Sequence, residues 1–125
     1  MRLWHISLVK HLPRQQLLGQ HRECCALRGK GWGRRHATVN YVFQYHPLML
    51  FNYHVSVMDE LKRRGYQVDK LWLDSKYRGK LLNYAPYNEG GDMFETYPEH
   101  DERYFAECID NLKSKGIEIV NQQCR

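Results

Sequence analysis

The chain has 125 residues, of which 42% are hydrophobic and 26% are charged, and its formal net charge is +5. This composition is typical of a globular protein, so it excludes extensive disorder and predicts a single domain over residues 1–125. No apolar run reaches the ~18 residues of a membrane-spanning helix, and residues 1–9 lack the apolar stretch of a signal peptide. We therefore expect a cytoplasmic, monomeric protein that does not bind membranes.

The first predicted helix begins at Pro13 and ends near Gly29. Proline is well tolerated at the first helical position, and glycine is common directly after the last one. Gly19 lies inside this helix at a cost of up to ~1 kcal/mol relative to alanine. It either marks the close approach of another backbone or is simply tolerated.

The second predicted helix begins at Pro47 and ends with a basic turn before Gly65. Its apolar residues recur every three or four positions, which predicts a helix that packs in the core. A shorter helix over about residues 37–44 is expected before it.

The third predicted helix begins at Pro98, has acidic residues in its first turn and ends at Gly116. The long connection over residues 66–97 is rich in Tyr, Gly and Asn and leaves open a short strand near residues 66–68. Residues 117–120 suit either a terminal strand or an extended packing segment. These patterns predict a mainly α fold: a compact single domain of three principal helices with long loops.

The cysteines and histidines form no recognisable metal motif. The four cysteines have no CxxC spacing, so we expect reduced, partly buried thiols at Cys24, Cys25, Cys108 and Cys124. The seven histidines include no HExxH and no pair four residues apart. We therefore expect neither a metal nor another cofactor, and we interpret His54, on the core helix, as a hydrogen-bonded core residue.

The basic residues are concentrated in the first half of the chain. Residues 1–64 have 11 Lys and Arg against 3 Asp and Glu, whereas residues 65–125 have 8 against 11. A basic half indicates an anion-binding surface, for which nucleic acid is the obvious ligand. A generally basic surface with no ligand is an equal alternative.

The segment 29–36 contains a GxGxG pattern, but it follows a helix rather than a strand, which argues against dinucleotide binding. Its composition is that of a basic loop with one indole, suited to lie along DNA phosphates while Trp32 stacks on a base or sugar. The alternative is a solvated loop whose Trp32 packs on the body of the protein. The predicted phosphate contacts here are Arg28, Lys30, Arg34 and Arg35.

Glu23 is the only carboxylate in the first 58 residues, where it stands among eight Lys and Arg. Cations are expected around it from Lys10, Arg14 and Arg28, besides the adjacent Arg22. An unpaired carboxylate on a phosphate-binding surface repels the ligand, so we look for a chemical role such as proton transfer or stabilisation of a cationic intermediate. The alternative is a salt bridge to an arginine one turn away.

The residues that lead into Glu23 form a recognisable pattern. The chain resembles the pyrimidine-dimer DNA glycosylase family, the phage endonuclease V type, whose pattern is roughly L-V-x-x-L-x-x-Q-H-L-x-x-E-Y-R-E. A second similarity is the helix end over residues 60–66, and together the two span roughly residues 1–68. The matching residues of the first pattern are Leu8, Val9, Leu12, Gln15, Leu17, Arg22 and Glu23.

The resemblance implies a compact helical glycosylase with abasic-site lyase activity, no metal, and double-stranded DNA with pyrimidine dimers or a related lesion as substrate. The N-terminal amine, here the α-amine of Met1, would attack the deoxyribose, displace the base and form an imine that permits β-elimination. Glu23 would stabilise the sugar cation and assist proton transfers, while Arg2, Gln15 and Arg22 would contact the DNA. An α-amine with a pKa near ~7.7–8.0 is partly neutral and nucleophilic at physiological pH.

The sequence also departs from the family pattern. Met1 precedes Arg2, where the family usually has a small residue that becomes the N-terminus. Gln20 replaces the family glutamate, His21 replaces the tyrosine, and Ala26 occupies the place of an arginine. A non-catalytic DNA- or RNA-binding module that retains the fold is therefore the alternative function. A third interpretation, an adaptor that binds a protein through its acidic residues 89–110, rests on composition alone.

Overall fold

The computed structural model describes residues 2–34, 38–80, 82–84 and 96–119. Their three α-helices, linked by long irregular segments, confirm the predicted mainly α fold. No described residue lies in a strand, so the possible strand near residues 66–68 is wrong. The helices are α1 (Arg14–Arg28), α2 (Pro47–Arg63) and α3 (Glu102–Ser114).

Helix α2 begins at the predicted Pro47, and α1 begins at Arg14, one residue after the predicted Pro13. At the end of α1 the Gly29 N–H donates to the carbonyls of Cys25 and Ala26. At the start of α2 the His46 ring accepts a hydrogen bond from Leu48 N at 3.1 Å, so the helix is capped just before its first residue. Both predicted helices are confirmed.

Helix α3 begins four residues later than predicted. Its cap is Asp101, whose Oδ1 accepts a hydrogen bond from Tyr104 N at 2.9 Å. Aspartate is a strong N-cap residue, so the helix begins after Asp101 and not at Pro98. The residues from Pro98 to Asp101 form a non-helical turn. That turn buries His100, which is 8% exposed.

Three short 3-10 helices complete the described secondary structure: Ile6–His11, Asn40–Gln44 and Lys70–Leu73. The second corresponds to the helix expected over about 37–44, although residue 37 lies outside the described part of the chain. Residues 117–119 are irregular, and Ile117 and Ile119 pack on the core, as expected for a packing segment rather than a strand.

The core forms mainly between α1, α2 and the N-terminal segment. Side chains from these three elements are at most 2% exposed: Leu3, Leu8, Leu17, Cys24, Leu27, Leu50, Val57 and Leu61. Of the predicted free thiols, Cys24, Cys25 and Cys108 are unpaired, and Cys124 lies outside the described residues. Within the described residues no helix has the length and apolar character needed to cross a bilayer.

Helix α3 and the turn before it are attached to the first residues of the chain. His100 Nδ1 accepts a hydrogen bond from Ile6 N at 3.1 Å, and the Tyr104 hydroxyl donates to the Leu3 carbonyl. These contacts join residues 94 and 101 positions apart, so they fix α3 and the preceding turn against the N-terminal segment.

Gly19 has room around it. A Cβ built at this position would meet only the Arg22 side chain, at 3.7 Å. No described backbone approaches, so of the two interpretations the tolerated glycine is the correct one.

Candidate active site

Gln20 holds the N-terminal segment against α1. It is 1% exposed, and its Oε1 accepts hydrogen bonds from Trp4 N at 2.7 Å and from the Tyr53 hydroxyl at 2.9 Å. Its Nε2 donates to the Arg2 carbonyl at 2.9 Å. Both ends of the amide are thus used, which satisfies buried backbone groups and sets the path of the chain start along the helix.

Glu23 lies one turn further along the same side of α1. Its Oε1 accepts a hydrogen bond from Gln20 Nε2 at 3.1 Å and a longer one from Arg2 N at 3.5 Å. Burial raises the pKa of the Glu23 carboxyl, although these hydrogen bonds and the charge of Arg22 oppose the rise. Gln20 therefore positions both the carboxylate and the backbone that faces it.

No salt bridge to Glu23 exists in the described part of the chain, which removes the interpretation of this residue as a partner of an arginine one turn away. Two of the cations expected around Glu23 lie elsewhere. The Arg14 guanidinium sits over the Tyr66 ring at 5.9 Å, and Arg28 is inside the protein. Glu23 is a carboxylate held by neutral donors.

The Glu23 carboxylate is close to the beginning of the chain. The Arg2 backbone N lies 3.5 Å from Glu23 Oε1. Met1, whose α-amine is the predicted nucleophile, lies outside the described residues.

The Arg2 side chain is already engaged within the protein. Its NH1 donates to Glu107 Oε2 on α3 at 3.1 Å, and its guanidinium lies over the rings of Trp4 and Tyr104 at 5.8 and 5.7 Å. A DNA contact by Arg2 would have to compete with this ion pair.

Four of the predicted DNA contacts are exposed: Gln15, Arg22, Lys30 and Arg34. Gln15 and Arg22 are two turns apart on α1, and Lys30 and Arg34 follow in the loop. Arg35 lies outside the described residues. Trp32 is half-buried, and its ring packs edge-on against the Phe43 ring with 4.9 Å between the ring centroids. This corresponds to the alternative in which Trp32 packs on the body of the protein.

The predicted DNA contact by Arg28 is wrong. Arg28 is only 7% exposed, and its guanidinium donates to the carbonyls of Trp72 at 2.8 Å, Asp74 at 2.7 Å and Tyr77 at 3.3 Å. It also donates to His54 Nδ1 at 2.9 Å. The side chain holds the 72–77 segment against the end of α1, because the five N–H donors of a guanidinium can serve several carbonyls at once.

His54 is the hydrogen-bonded core residue that the sequence indicates. Its ring is 0% exposed and lies between the Arg28 guanidinium and His21, whose Nδ1 is 2.8 Å from His54 Nε2. Burial and the Arg28 charge lower the pKa of His54 to about 2. Burial also lowers the pKa of His21, so both rings are neutral near pH 7.

The sequence did not reveal the role of Gln20, which is there only a departure from the family pattern. The available signal was its spacing, because residue 20 lies one turn before Glu23 on the same side of a helix. Nor did the sequence reveal the proximity of His21, Cys25 and His54, for which the four-residue spacing of His21 and Cys25 was the only local sign.

The site thus has a half-buried carboxylate beside the first residues of the chain and exposed basic residues along the same helix. This arrangement is suited to a helical protein that acts on nucleic acid. The profile of the pyrimidine dimer DNA glycosylase family matches residues 1–74. The chain belongs to this family, whose name gives damaged DNA as the class of substrate. No curated protein and no solved structure matches the chain.

Proposed function

We propose that the chain is a DNA glycosylase with abasic-site lyase activity, which acts through an imine formed by its N-terminal amine. The substrate is double-stranded DNA with a pyrimidine dimer or a related base lesion. The observation that carries the proposal is the arrangement of Glu23 and the chain start, both positioned by Gln20.

In the first step the neutral α-amine of Met1 attacks C1′ of the damaged nucleotide. The bond from C1′ to the base breaks, and the base leaves with the bonding electron pair and takes up a proton. The sugar carries positive charge as this bond breaks, and the Glu23 carboxylate stabilises that charge. The attached amine then loses a proton, and the C1′–O4′ bond of the sugar ring breaks as O4′ takes up a proton, which produces the imine.

In the second step the imine makes the C2′ hydrogen acidic. Glu23 accepts that proton, after which the C3′–O bond breaks and the 3′ phosphate leaves. Water then hydrolyses the imine, which releases the sugar fragment and restores the free amine.

The exposed side chains of α1 and the following loop supply the DNA surface in this proposal. Gln15 and Arg22 lie on the same helix as Glu23, and Lys30 and Arg34 extend the surface beyond its end. Such contacts bind phosphates and orient the duplex without reading its sequence. Damage recognition therefore depends on other groups or on the altered shape of the DNA.

Borohydride trapping tests the proposal directly. Duplexes that contain an abasic site or a pyrimidine dimer are incubated with the protein and borohydride, and the adduct is located by mass spectrometry. A covalent adduct on the terminal residue is expected, and acetylation of the N-terminus should prevent it while duplex binding persists. Binding to both duplexes without an adduct or strand cleavage would instead identify a non-catalytic DNA-binding module.

A further inference from the structure

A second group of reactive side chains lies on the side of α1 turned away from Glu23. His21 and Cys25 are one turn apart, and each is two residues from Glu23, about 200° around the helix. His54 reaches them from α2. The ligand atoms of the three residues lie within 4.8 Å of one another.

We propose that His21, Cys25 and His54 form a binding site for a thiophilic transition-metal ion of the Zn²⁺ class. Two imidazoles and a thiolate are a donor set that such ions favour, and three protein ligands leave a fourth position for water. The inference does not depend on the glycosylase proposal, because metal binding is measured without DNA.

The ligand atoms can converge on a single ion. His21 Nδ1 is 2.8 Å from His54 Nε2, and Cys25 Sγ is 3.9 Å from the same His54 Nε2. Around a tetrahedral zinc ion the usual bond lengths put sulfur and nitrogen about 3.6 Å apart and two nitrogens about 3.3 Å apart. The two separations from His54 Nε2 thus differ from this geometry by about half an ångström or less. With one ligand atom taken from each residue, all three lie within 4.8 Å of one another, so small ring and thiol rotations can bring them to the ion.

The donors are held by the best-packed part of the fold. Helices α1 and α2 form the main helix pair of the protein, and His54 is fully buried between them. His21 and Cys25 are half-buried, so an ion can reach them from solvent. An ion bound here would connect the two helices and stabilise them through its ligands.

Metal binding requires changes in the positions of the protons on His54 and Cys25. A guanidinium only donates hydrogen bonds, so the Arg28 contact makes His54 Nδ1 an acceptor and places the ring proton on Nε2, facing His21. Ligation through Nε2 moves this proton to Nδ1, so the hydrogen bond from Arg28 NH1 to His54 Nδ1 is lost, whereas the Trp72 carbonyl still accepts from NH1. The Cys25 thiol loses its proton to solvent.

The charges around the cluster are of both signs. Arg28 lies beside His54 and Arg22 acts on His21, so both oppose the arrival of a cation. The Asp69 carboxylate acts on both His21 and Cys25 with the opposite sign. The thiolate that forms on binding adds a further negative charge at the ion itself.

Titration of the full chain with Co²⁺, followed by Zn²⁺, tests the site. We expect a thiolate-to-cobalt charge-transfer band and tetrahedral d–d bands that saturate at one ion per chain and disappear when Zn²⁺ displaces Co²⁺. Cys25→Ser should abolish the charge-transfer band, and His21→Asn should weaken binding at least tenfold. Cys24→Ala is the matched control, since the Cys24 thiol does not belong to the cluster, and it should retain the band.

Thermal unfolding gives an independent readout. Zn²⁺ at a hundredfold excess over its Kd should raise the Tm of the parent chain by roughly 8–14 °C, and that of Cys25→Ser by much less. Absence of the cobalt bands in the parent chain, or their retention in folded Cys25→Ser, would overturn the proposal. If the charge-transfer band is lost in the control variant but retained in Cys25→Ser, the metal is bound by another thiol, and the proposal is also overturned.

Discussion

Glu23→Gln is the most informative single substitution in this protein. Glutamine has nearly the size of glutamate and retains the oxygen that accepts the hydrogen bond from Gln20 Nε2, which is 3.1 Å long in the parent chain. It lacks the negative charge and the proton-accepting carboxylate. The substitution therefore separates the chemistry of Glu23 from its contribution to packing.

The expected magnitudes follow from these contacts. Strand cleavage in a single turnover should slow by ~10²–10⁴-fold, because a proton-transfer group is lost. The Tm should change by no more than about 3 °C, since Glu23 has no salt bridge within the described residues and its main hydrogen bond survives. Duplex affinity should be unchanged or higher, because a charge that repels phosphate is removed.

The assay combines three measurements on one preparation: thermal unfolding, duplex binding, and single-turnover cleavage of an abasic-site duplex. Glu118→Gln, which removes an exposed carboxylate near the end of α3, is the control and should behave as the parent chain in all three. If Glu23→Gln cleaves at the parental rate, the reasoning that makes Glu23 catalytic is refuted, whatever happens to its stability.

Further substitutions test the other parts of the structure. Gln20→Met should lower the free energy of unfolding in urea by about 2–4 kcal/mol, because buried backbone and hydroxyl groups lose their partners. Gly19→Ala should raise it by up to ~1 kcal/mol, since the added methyl has room. The Glu60 carboxyl has its pKa lowered to about 2 by the two arginines at the end of α2. The unfolding free-energy difference between the parent and Glu60→Gln should thus be constant above about pH 5 and shrink as pH falls toward 2. Arg22→Ala combined with Arg34→Ala should weaken duplex binding at every sequence and reduce its dependence on salt; unchanged binding would move the DNA surface elsewhere.

The helices were predictable because their boundary signals are local. Pro47 and Gly29 act within one turn of themselves, so their effect can be inferred without the rest of the fold. Pro98 carries the same signal as Pro47, but the start of α3 is decided by the Asp101 cap and by the burial of His100 against a distant segment. A sequence pattern contains no information about such a contact.

The same contrast between local sequence signals and long-range contacts holds for the candidate site. Glu23 was identifiable because its charge contrasts with that of its neighbours in sequence. Gln20 was not, because its importance lies in hydrogen bonds to Arg2, Trp4 and Tyr53, which only the folded chain brings together. Arg28 was assigned to the surface because it adjoins a basic loop, and its burial depends on carbonyls contributed by residues 72–77.

The attachment of α3 to the first residues has a consequence for anyone who defines the minimal unit of this protein. The family match ends at residue 74, yet Glu107 pairs with Arg2, Tyr104 binds the Leu3 carbonyl and His100 binds Ile6 N. A fragment cut at the family boundary would keep Glu23 and Gln20 but lose all three of these anchors. These parts of the second half of the chain thus belong to the scaffold of the candidate site, and sequence changes there can alter its geometry while Glu23 and Gln20 themselves stay unchanged.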